Sequence, residues 1–258
     1  MAADRLINLN ADLGESFGAW SMGDDAALLP VISSANIACG FHAGDPVVMR
    51  QTVRLALAHG VSLGAHPAYP DLQGFGRRVM QLSPQEVEAA LIYQVGALQA
   101  MAAAEGGRVT HVKPHGALNN MACADEALAA TIARAVHALD RGLILLAPAC
   151  SALERAGLAA GLRVAREVFA DRSYQADGQL TPRSRPGAVL HEAEACVAHV
   201  LRMLEAGGIV TAEGKCLPTP IDSICVHGDG PGAVATAQRV RAALQAAGYR
   251  LAGLPDIG

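Results

Sequence analysis

The chain is poor in charged and aromatic residues. Charged residues make up 17% of its 258 residues and aromatic residues 3%, against a usual charged share of about a quarter. Apolar residues reach 52%, which excludes an intrinsically disordered chain, because such chains have too little apolar surface to fold. The low charge content predicts that part of the surface is covered by a partner or by self-association into a homo-oligomer.

Features typical of nucleic-acid-binding, membrane and exported proteins are also missing. The formal net charge is −4 and no stripe rich in Lys and Arg occurs, so we expect no nucleic-acid partner. The longest apolar run, 142–153, contains Pro148 and is shorter than the roughly 20 residues that cross a bilayer. The chain enters a strand-like segment without the apolar stretch of a signal peptide. We therefore expect a cytoplasmic protein that does not bind membranes.

Motifs for disulfides, phosphate loops and covalent catalysis are absent as well. The six cysteines show no C-x-x-C spacing, so they are expected to be reduced thiols. The segment 208–215 resembles a phosphate loop, but its two glycines are one residue too far apart and Cys216 stands where Ser or Thr is required. Neither a serine elbow nor a cysteine with a placed histidine is present. Acyl-enzyme chemistry is therefore not favoured.

What the sequence does contain is a repeated unit of a short apolar run, a loop and a helix-period segment. Helix starts are marked by Asp45-Pro46 and by Ser83-Pro84, with Glu86 completing a capping box. Such alternation predicts a parallel sheet covered by helices. We predict one α/β domain over residues 1–258, an irregular (β/α) barrel of about seven parallel strands, with a doubly wound open sheet as the alternative. The seven apolar runs are 5–10, 35–39, 61–65, 109–113, 142–147, 163–168 and 221–226.

Ionisable side chains follow six of these seven runs. In a parallel barrel the carboxyl ends of the strands meet at one rim, where enzymes of this architecture place their sites. Burying many chargeable groups together is costly unless they are paired or functional. We therefore predict a catalytic group made of Asp12, Glu15, His42, His66, Lys113 and His115. The predicted substrate-binding group is Asn10, Arg77, Glu167, Asp171, Arg172, His227 and Asp229.

The residue types leave several roles open. Lys113 and His115 lie two residues apart and can share one side of an extended chain, where they would polarise an amide or phosphoryl oxygen. The alternative to this favoured role is a structural pair of Lys113 with a carboxylate. Asp12, His42 and His66 suit a divalent metal such as Zn²⁺, although we favour a hydrogen-bonded acid–base cluster. The long loop at about 169–190 is a candidate lid.

Seven segments resemble the LamB/YcsF family, and together they span nearly the whole chain in order. They are NLNADLGE (8–15), NIACGFHAGD (36–45), GAHP (64–67), GFGRR (74–78), VKPHGAL (112–118), EVFADR (167–172) and VHGD (226–229). The resemblance implies an irregular (β/α) barrel related to the polysaccharide deacetylases, a glycoside hydrolase/deacetylase-like fold. It also implies a part in the ATP-dependent opening of 5-oxo-L-proline to L-glutamate. In that system a member of this family acts with 5-oxoprolinase B and C subunits, and ATP would be bound mainly by those partners.

Combining the resemblance with the residues gives a hypothesis for the reaction. Phosphorylation of the lactam oxygen makes the ring carbon electrophilic, and Asp12 or Glu15, helped by His42 or His66, would activate water. Lys113 would hold the developing negative charge, and His115 would protonate the leaving group. Arg77 or Arg172 would bind the substrate carboxylate. A self-sufficient metal-dependent amidohydrolase or deacetylase, and a non-catalytic lactam- or sugar-binding subunit, are the alternatives.

Overall fold

A closed barrel of seven parallel strands forms the centre of the computed structural model, which describes residues 5–227 and 232–257. In chain order the strands are β1 (Arg5–Leu13), β2 (Ser34–Ala38), β3 (Ser62–His66), β4 (Val109–Val112), β5 (Ile144–Pro148), β6 (Arg163–Phe169), β7 (Gly208–Val210), β8 (Cys216–Pro218), β9 (Ser223–Val226) and β10 (Tyr249–Leu251). Strands β1 to β6 follow one another around the barrel, and β9 closes it by pairing with both β6 and β1. The predicted barrel is confirmed, and the doubly wound alternative is wrong because the sheet closes.

Helices surround the barrel, and the predicted caps begin two of them. The helices are α1 (Asp25–Leu28), α2 (Pro46–Ala58), α3 (Pro84–Ala104), α4 (Gly116–Ala124), α5 (Glu126–Leu139), α6 (Ala152–Ala159), α7 (Ala193–Ala206) and α8 (Ala233–Ala246). Asp45 accepts hydrogen bonds from the first turn of α2, and Ser83 and Glu86 form the capping box of α3. Ser151 caps α6, while Glu154 binds the backbone N–H of Cys150 and the side chain of Arg166.

Helix α3 is long and apolar. Among the described residues it alone meets the length and composition of a membrane-crossing helix, a measure that core helices of soluble proteins also meet. Here its Val87, Leu91, Val95 and Leu98 are buried in the core of the barrel protein. The helix therefore has a packing role within this fold.

The interior of the barrel is polar on one side. Asn8, Asn10 and Asp12 point inward from alternate positions of β1. Asn10 Nδ2 donates to Glu167 Oε1 at 2.9 Å, while Asn36 Nδ2 donates to Asn10 Oδ1 at 2.7 Å and to Asp12 Oδ1 at 2.9 Å. This polar ladder fixes the carboxylates at the mouth. The other side holds a small apolar cluster of Ile144, Leu146, Ala165 and Leu254.

Gly64 makes room for a buried imidazole in the ladder. His111 Nε2 lies 3.0 Å from Asn36 Oδ1, and burial lowers the pKa of His111 to about 3, so the ring is neutral. A Cβ atom at position 64 would lie 2.0 Å from His111 Nε2. The absence of a side chain on β3 therefore sets the position of the ring that supports Asn36.

Replacing Gly64 by alanine is expected to lower the free energy of unfolding by about 1–3 kcal/mol, because the added methyl group overpacks the barrel interior. Urea unfolding measures this change. Gly96→Ala in α3 is the matched control, since its new Cβ meets nothing within 4 Å and should be neutral or stabilising by up to about 1 kcal/mol. Equal stability of Gly64→Ala and the wild type would contradict the packing described here.

Candidate active site

The six predicted catalytic side chains come together at the carboxyl-terminal mouth of the barrel. Asp12 lies 3.0 Å from Lys113 Nζ and 3.3 Å from His66 Nε2. His115 Nδ1 lies 2.9 Å from His66 Nε2. The remaining two, Glu15 and His42, pair with Oε1 and Nε2 3.1 Å apart. The predicted convergence is therefore present, while the role of each group stays a prediction.

Lys113 is buried at the base of this group, and four polar side-chain atoms surround its ammonium. Its Nζ lies 3.0 Å from Asp12 Oδ1, 3.0 Å from Glu167 Oε1, 3.3 Å from Asn10 Oδ1 and 3.1 Å from Cys225 Sγ. Burial by itself would lower the pKa of Lys113, but the charges of Asp12 and Glu167 outweigh it and hold that pKa well above its usual value. Since an ammonium has three N–H bonds, Lys113 would have to give up a partner to bind a substrate oxyanion. Its geometry is that of a counter-ion.

One oxygen of the Asp12 carboxylate is hydrogen-bonded within the polar ladder, and the other oxygen faces the histidines. Its Oδ1 accepts from Lys113 and Asn36, and its Oδ2 faces His66. Burial alone would raise the pKa of Asp12, but His66 and Lys113 outweigh it and hold the pKa well below its usual range. Asp12 lines the cavity. It is therefore placed to take a proton from a molecule bound there.

Three histidines form a compact cluster beside Asp12. The rings of His42 and His115 stack with centroids 3.8 Å apart and an interplanar angle of 8°, while His66 stands edge-on to His115 at 86°. Burial lowers the pKa of both His42 and His115 well below the usual value, so both are neutral. Gly76, with φ +64°, closes over the stack, and a Cβ there would lie 2.8 Å from His115 Cδ2.

The hydrogen bonds of His66 and His115 leave two ring nitrogens facing each other. His66 Nδ1 lies 2.6 Å from the Lys113 carbonyl oxygen, and His115 Nε2 lies 2.9 Å from the Phe75 carbonyl oxygen. Carbonyls only accept, so each of these nitrogens carries hydrogen, and in neutral rings the other nitrogen has only a lone pair. Those two nitrogens are 2.9 Å apart. A proton on one ring, or a metal ion beside both, must therefore offset their repulsion.

A metal-compatible group is present, but it differs from the set considered from sequence. Ligand atoms of Glu15, His42, His66 and His115 all lie within 4.8 Å of one another. Asp12 was the expected carboxylate of this set, but its Oδ1 is bonded to Lys113 and Asn36. Nitrogen and carboxylate donors of this kind suit a zinc-type divalent ion.

A cavity of about 670 Å³ opens above the cluster. One wall is the loop 170–192, the predicted lid, which is held in place by backbone bridges from Arg172 to Val189 and from Tyr174 to Leu180. The Tyr174 hydroxyl accepts from the Phe169 N–H at 2.8 Å. Arg172 donates to two backbone carbonyls of the loop, at 2.6 Å and 3.2 Å, so its guanidinium already ties the wall together.

The predicted substrate-binding residues fall into two sets. Asp171 and His227 form a pair beside the cavity: His227 Nδ1 is 2.8 Å from the carboxylate, and Arg183 Nη2 is 3.3 Å from His227 Nε2, with His227 and Arg183 lining the cavity. Arg77 is exposed at the cavity mouth, over the ring of Phe75. By contrast, the fully buried Asn10 and Glu167 support Lys113 from beneath. Asp229 lies outside the described residues.

Sequence reasoning missed several contributors. Asn36 and His111 were not singled out, although His111 lies two residues before Lys113 on the same strand face and alternation could have found it. Arg183 was not among the predicted substrate-binding residues. The carbonyl of Phe75 left no signal, since its role is a backbone one.

Comparison with known proteins agrees with this architecture. A protein of Azoarcus sp. (strain BH72), named as the A subunit of 5-oxoprolinase, is 66% identical over 252 residues, covering 98% of each chain. One of Methylococcus capsulatus with the same name is 57% identical and covers 97% of this chain and 96% of its own. The crystal structure of a lactam utilization protein from Thermus thermophilus matches with a TM-score of 0.90 and 47% identity, covering 96% of this chain and 99% of that chain.

More distant structures share the fold alone. The catalytic domain of a peptidoglycan N-acetylglucosamine deacetylase from Eubacterium rectale matches with a TM-score of 0.54 at 11% identity, covering 100% of this chain and 92% of that chain. The sequence profile of the LamB/YcsF family matches residues 7–257. The barrel, the cluster of ionisable side chains at its mouth and the similarity of these relatives all agree with this match. The chain belongs to the LamB/YcsF family.

Proposed function

We propose that this chain is the A subunit of a 5-oxoprolinase and hydrolyses the lactam amide of 5-oxo-L-proline to L-glutamate. The names of its near-full-length relatives support this function. The observation that carries it is the Asp12 carboxylate 3.3 Å from His66 Nε2, beside the 2.9 Å contact between the ring nitrogens of His66 and His115, at the floor of a cavity. A base next to a positive centre is what hydrolysis of an amide requires.

The substrate is a small ring with one carboxylate. Arginine guanidiniums bind carboxylates through paired hydrogen bonds, and both Arg77 and Arg183 line the cavity. Arg172 is nearby, but its guanidinium donates hydrogen bonds to two backbone carbonyls of the loop. We therefore assign the substrate carboxylate to Arg77 and Arg183, with the lactam carbon directed toward Asp12.

The reaction joins a water oxygen to the lactam carbon and breaks the bond from that carbon to nitrogen. Asp12 Oδ2 takes the proton of the attacking water. A proton or an ion held between His66 and His115 would stabilise the negative charge that develops around the lactam carbon as water adds to it. Lys113 keeps Asp12 ionised. The departing nitrogen takes a proton from the acid–base cluster and becomes the amine of glutamate.

ATP is proposed to act through partner subunits. An unactivated lactam is a stable amide. Transfer of the ATP phosphoryl group to its carbonyl oxygen would release ADP, and opening of the ring by water would then leave an acyl phosphate. A second water would cleave this acyl phosphate to glutamate and inorganic phosphate. The segment 208–215, which resembles a phosphate loop in sequence, begins with β7 and leads into β8, and these two strands form an antiparallel hairpin. We therefore propose that the B and C subunits bind ATP, and that this chain receives the activated lactam.

Reconstitution tests this proposal. The chain is combined with B and C subunits, ATP and 5-oxo-L-proline, and glutamate and phosphate release are measured with each component omitted in turn. We expect both products in equal amounts, and no turnover when any component is missing. Glutamate release by this chain alone, without ATP, would contradict the proposal and favour a self-sufficient amidohydrolase. Binding of the lactam without any turnover in the full mixture would favour a non-catalytic subunit.

A further inference from the structure

Three buried side chains present unshared electron pairs to one point at the floor of the cavity. His66 Nε2 and His115 Nδ1 are 2.9 Å apart, and His115 Nδ1 is 3.8 Å from Glu15 Oε1. Zinc with bonds of about 2.0–2.1 Å to nitrogen holds tetrahedral ligand atoms about 3.3 Å apart. The observed separations lie on both sides of that value, so small side-chain movements would accommodate an ion.

We propose that Glu15, His66 and His115 bind one zinc-type divalent cation, with a fourth position open to the cavity. This inference goes beyond the proposed lactam hydrolysis and does not depend on it. All three residues line the cavity, and three protein ligands with an open position are typical of catalytic zinc sites. Two nitrogen donors favour zinc over magnesium, which prefers oxygen ligands.

Backbone carbonyls orient both proposed histidine ligands. His66 Nδ1 donates to the Lys113 oxygen at 2.6 Å, and His115 Nε2 donates to the Phe75 oxygen at 2.9 Å. Metal-binding histidines nearly always donate their second N–H in this way, which fixes the tautomer and the direction of the ring. Because these two nitrogens donate, the other nitrogens, His66 Nε2 and His115 Nδ1, face each other with lone pairs at 2.9 Å. An ion bound to both nitrogens removes their repulsion.

His42 supports this site without binding the ion. Its ring is parallel to that of His115, at 8° and 3.8 Å, so an ion in the plane of one ring lies well out of the plane of the other. His66 is edge-on to His115 at 86° and has no such conflict. Instead, His42 Nε2 lies 3.1 Å from Glu15 Oε1, where an N–H donor orients the carboxylate. Ligating carboxylates are commonly held by such a hydrogen bond.

The test uses the whole chain, treated with a chelator to remove metal and then separated from the chelator. Equilibrium dialysis against Zn²⁺, and separately against Mg²⁺, followed by elemental analysis gives stoichiometry and affinity. We expect one zinc per chain and weak magnesium binding. Glu15→Gln and His115→Gln should each weaken zinc binding by more than about 100-fold, whereas His42→Phe, which keeps the stack, should weaken it by about 10–100-fold. His59→Gln, at the end of α2, is the control and should bind like the wild type.

Circular dichroism confirms that each variant is folded, and the visible spectrum of the cobalt(II) form reports loss of a ligand independently of activity. Three results would overturn the assignment: no stoichiometric zinc, undiminished affinity in folded Glu15→Gln and His115→Gln, or a loss in His42→Phe equal to that in His115→Gln. Tighter binding of magnesium than of zinc would contradict the assignment of a zinc-type ion to this site. Because binding is measured without partners, ATP or lactam, its failure leaves the proposed lactam hydrolysis standing, and failure of reconstitution leaves the metal site standing.

Discussion

Replacing Asp12 by asparagine should slow lactam hydrolysis by the reconstituted complex by about 10²–10⁴-fold, the usual contribution of a general base. Asparagine keeps an oxygen that can accept from Lys113 and Asn36, so the polar ladder persists. What is lost is the charged Oδ2 that faces His66. The rate constant kcat should therefore fall, with little change in KM, because Asp12 is not assigned to bind the substrate carboxylate.

Asp222→Asn is the matched control. The Asp222 carboxylate accepts from the backbone and side chain of Arg166, just before β9 begins and at the opposite end of that strand from the mouth. This variant should keep the wild-type rate even if its stability changes. A folded Asp12→Asn variant that retains more than about a tenth of kcat would show that Asp12 is not the base.

Lys113→Met should abolish turnover and also lower the free energy of unfolding by about 3–5 kcal/mol, the range for removing one partner of a buried ion pair. The change leaves Asp12 and Glu167 without their shared cation. Stability falls because Lys113 is buried between these two carboxylates.

A double variant separates stability from catalysis. Adding Glu167→Gln to Lys113→Met removes one of the two uncompensated charges, so denaturant unfolding should show partial recovery of stability. Turnover should stay absent, since Asp12 still lacks its counter-ion. Wild-type stability of the single variant, or an active double variant, would contradict the counter-ion role of Lys113.

Much of the architecture could be predicted from local patterns. The seven parallel strands follow the apolar runs closely, and the capped helices begin where Asp45 and Ser83 indicated. Because parallel strands in a barrel place their carboxyl ends at one rim, residues as distant as Asp12 and Lys113 could be expected to meet. Strand alternation and topology were sufficient for this much.

The internal arrangement of the site could not be predicted, because it depends on contacts without a local signature. Lys113 was expected to pair with a carboxylate, but its pairing with Glu167 depends on β6, a strand distant in sequence, presenting that side chain to the barrel interior. The orientation of His115 depends on the carbonyl of Phe75 and on the missing side chain of Gly76. Such backbone contacts are independent of residue type, so they leave no trace in composition or spacing.

The polar ladder inside the barrel also determines how freely the interior can be redesigned. Ile144, Leu146 and Ala165 touch other apolar groups, so each can exchange for a residue of similar volume on its own. Asn10 and Asn36 cannot be exchanged singly, since each forms hydrogen bonds with its neighbours. Changing one of them alone leaves a buried polar group without a hydrogen-bond partner. Sequence drift in this half of the barrel must therefore proceed by concerted substitutions, whereas the apolar half can vary one residue at a time.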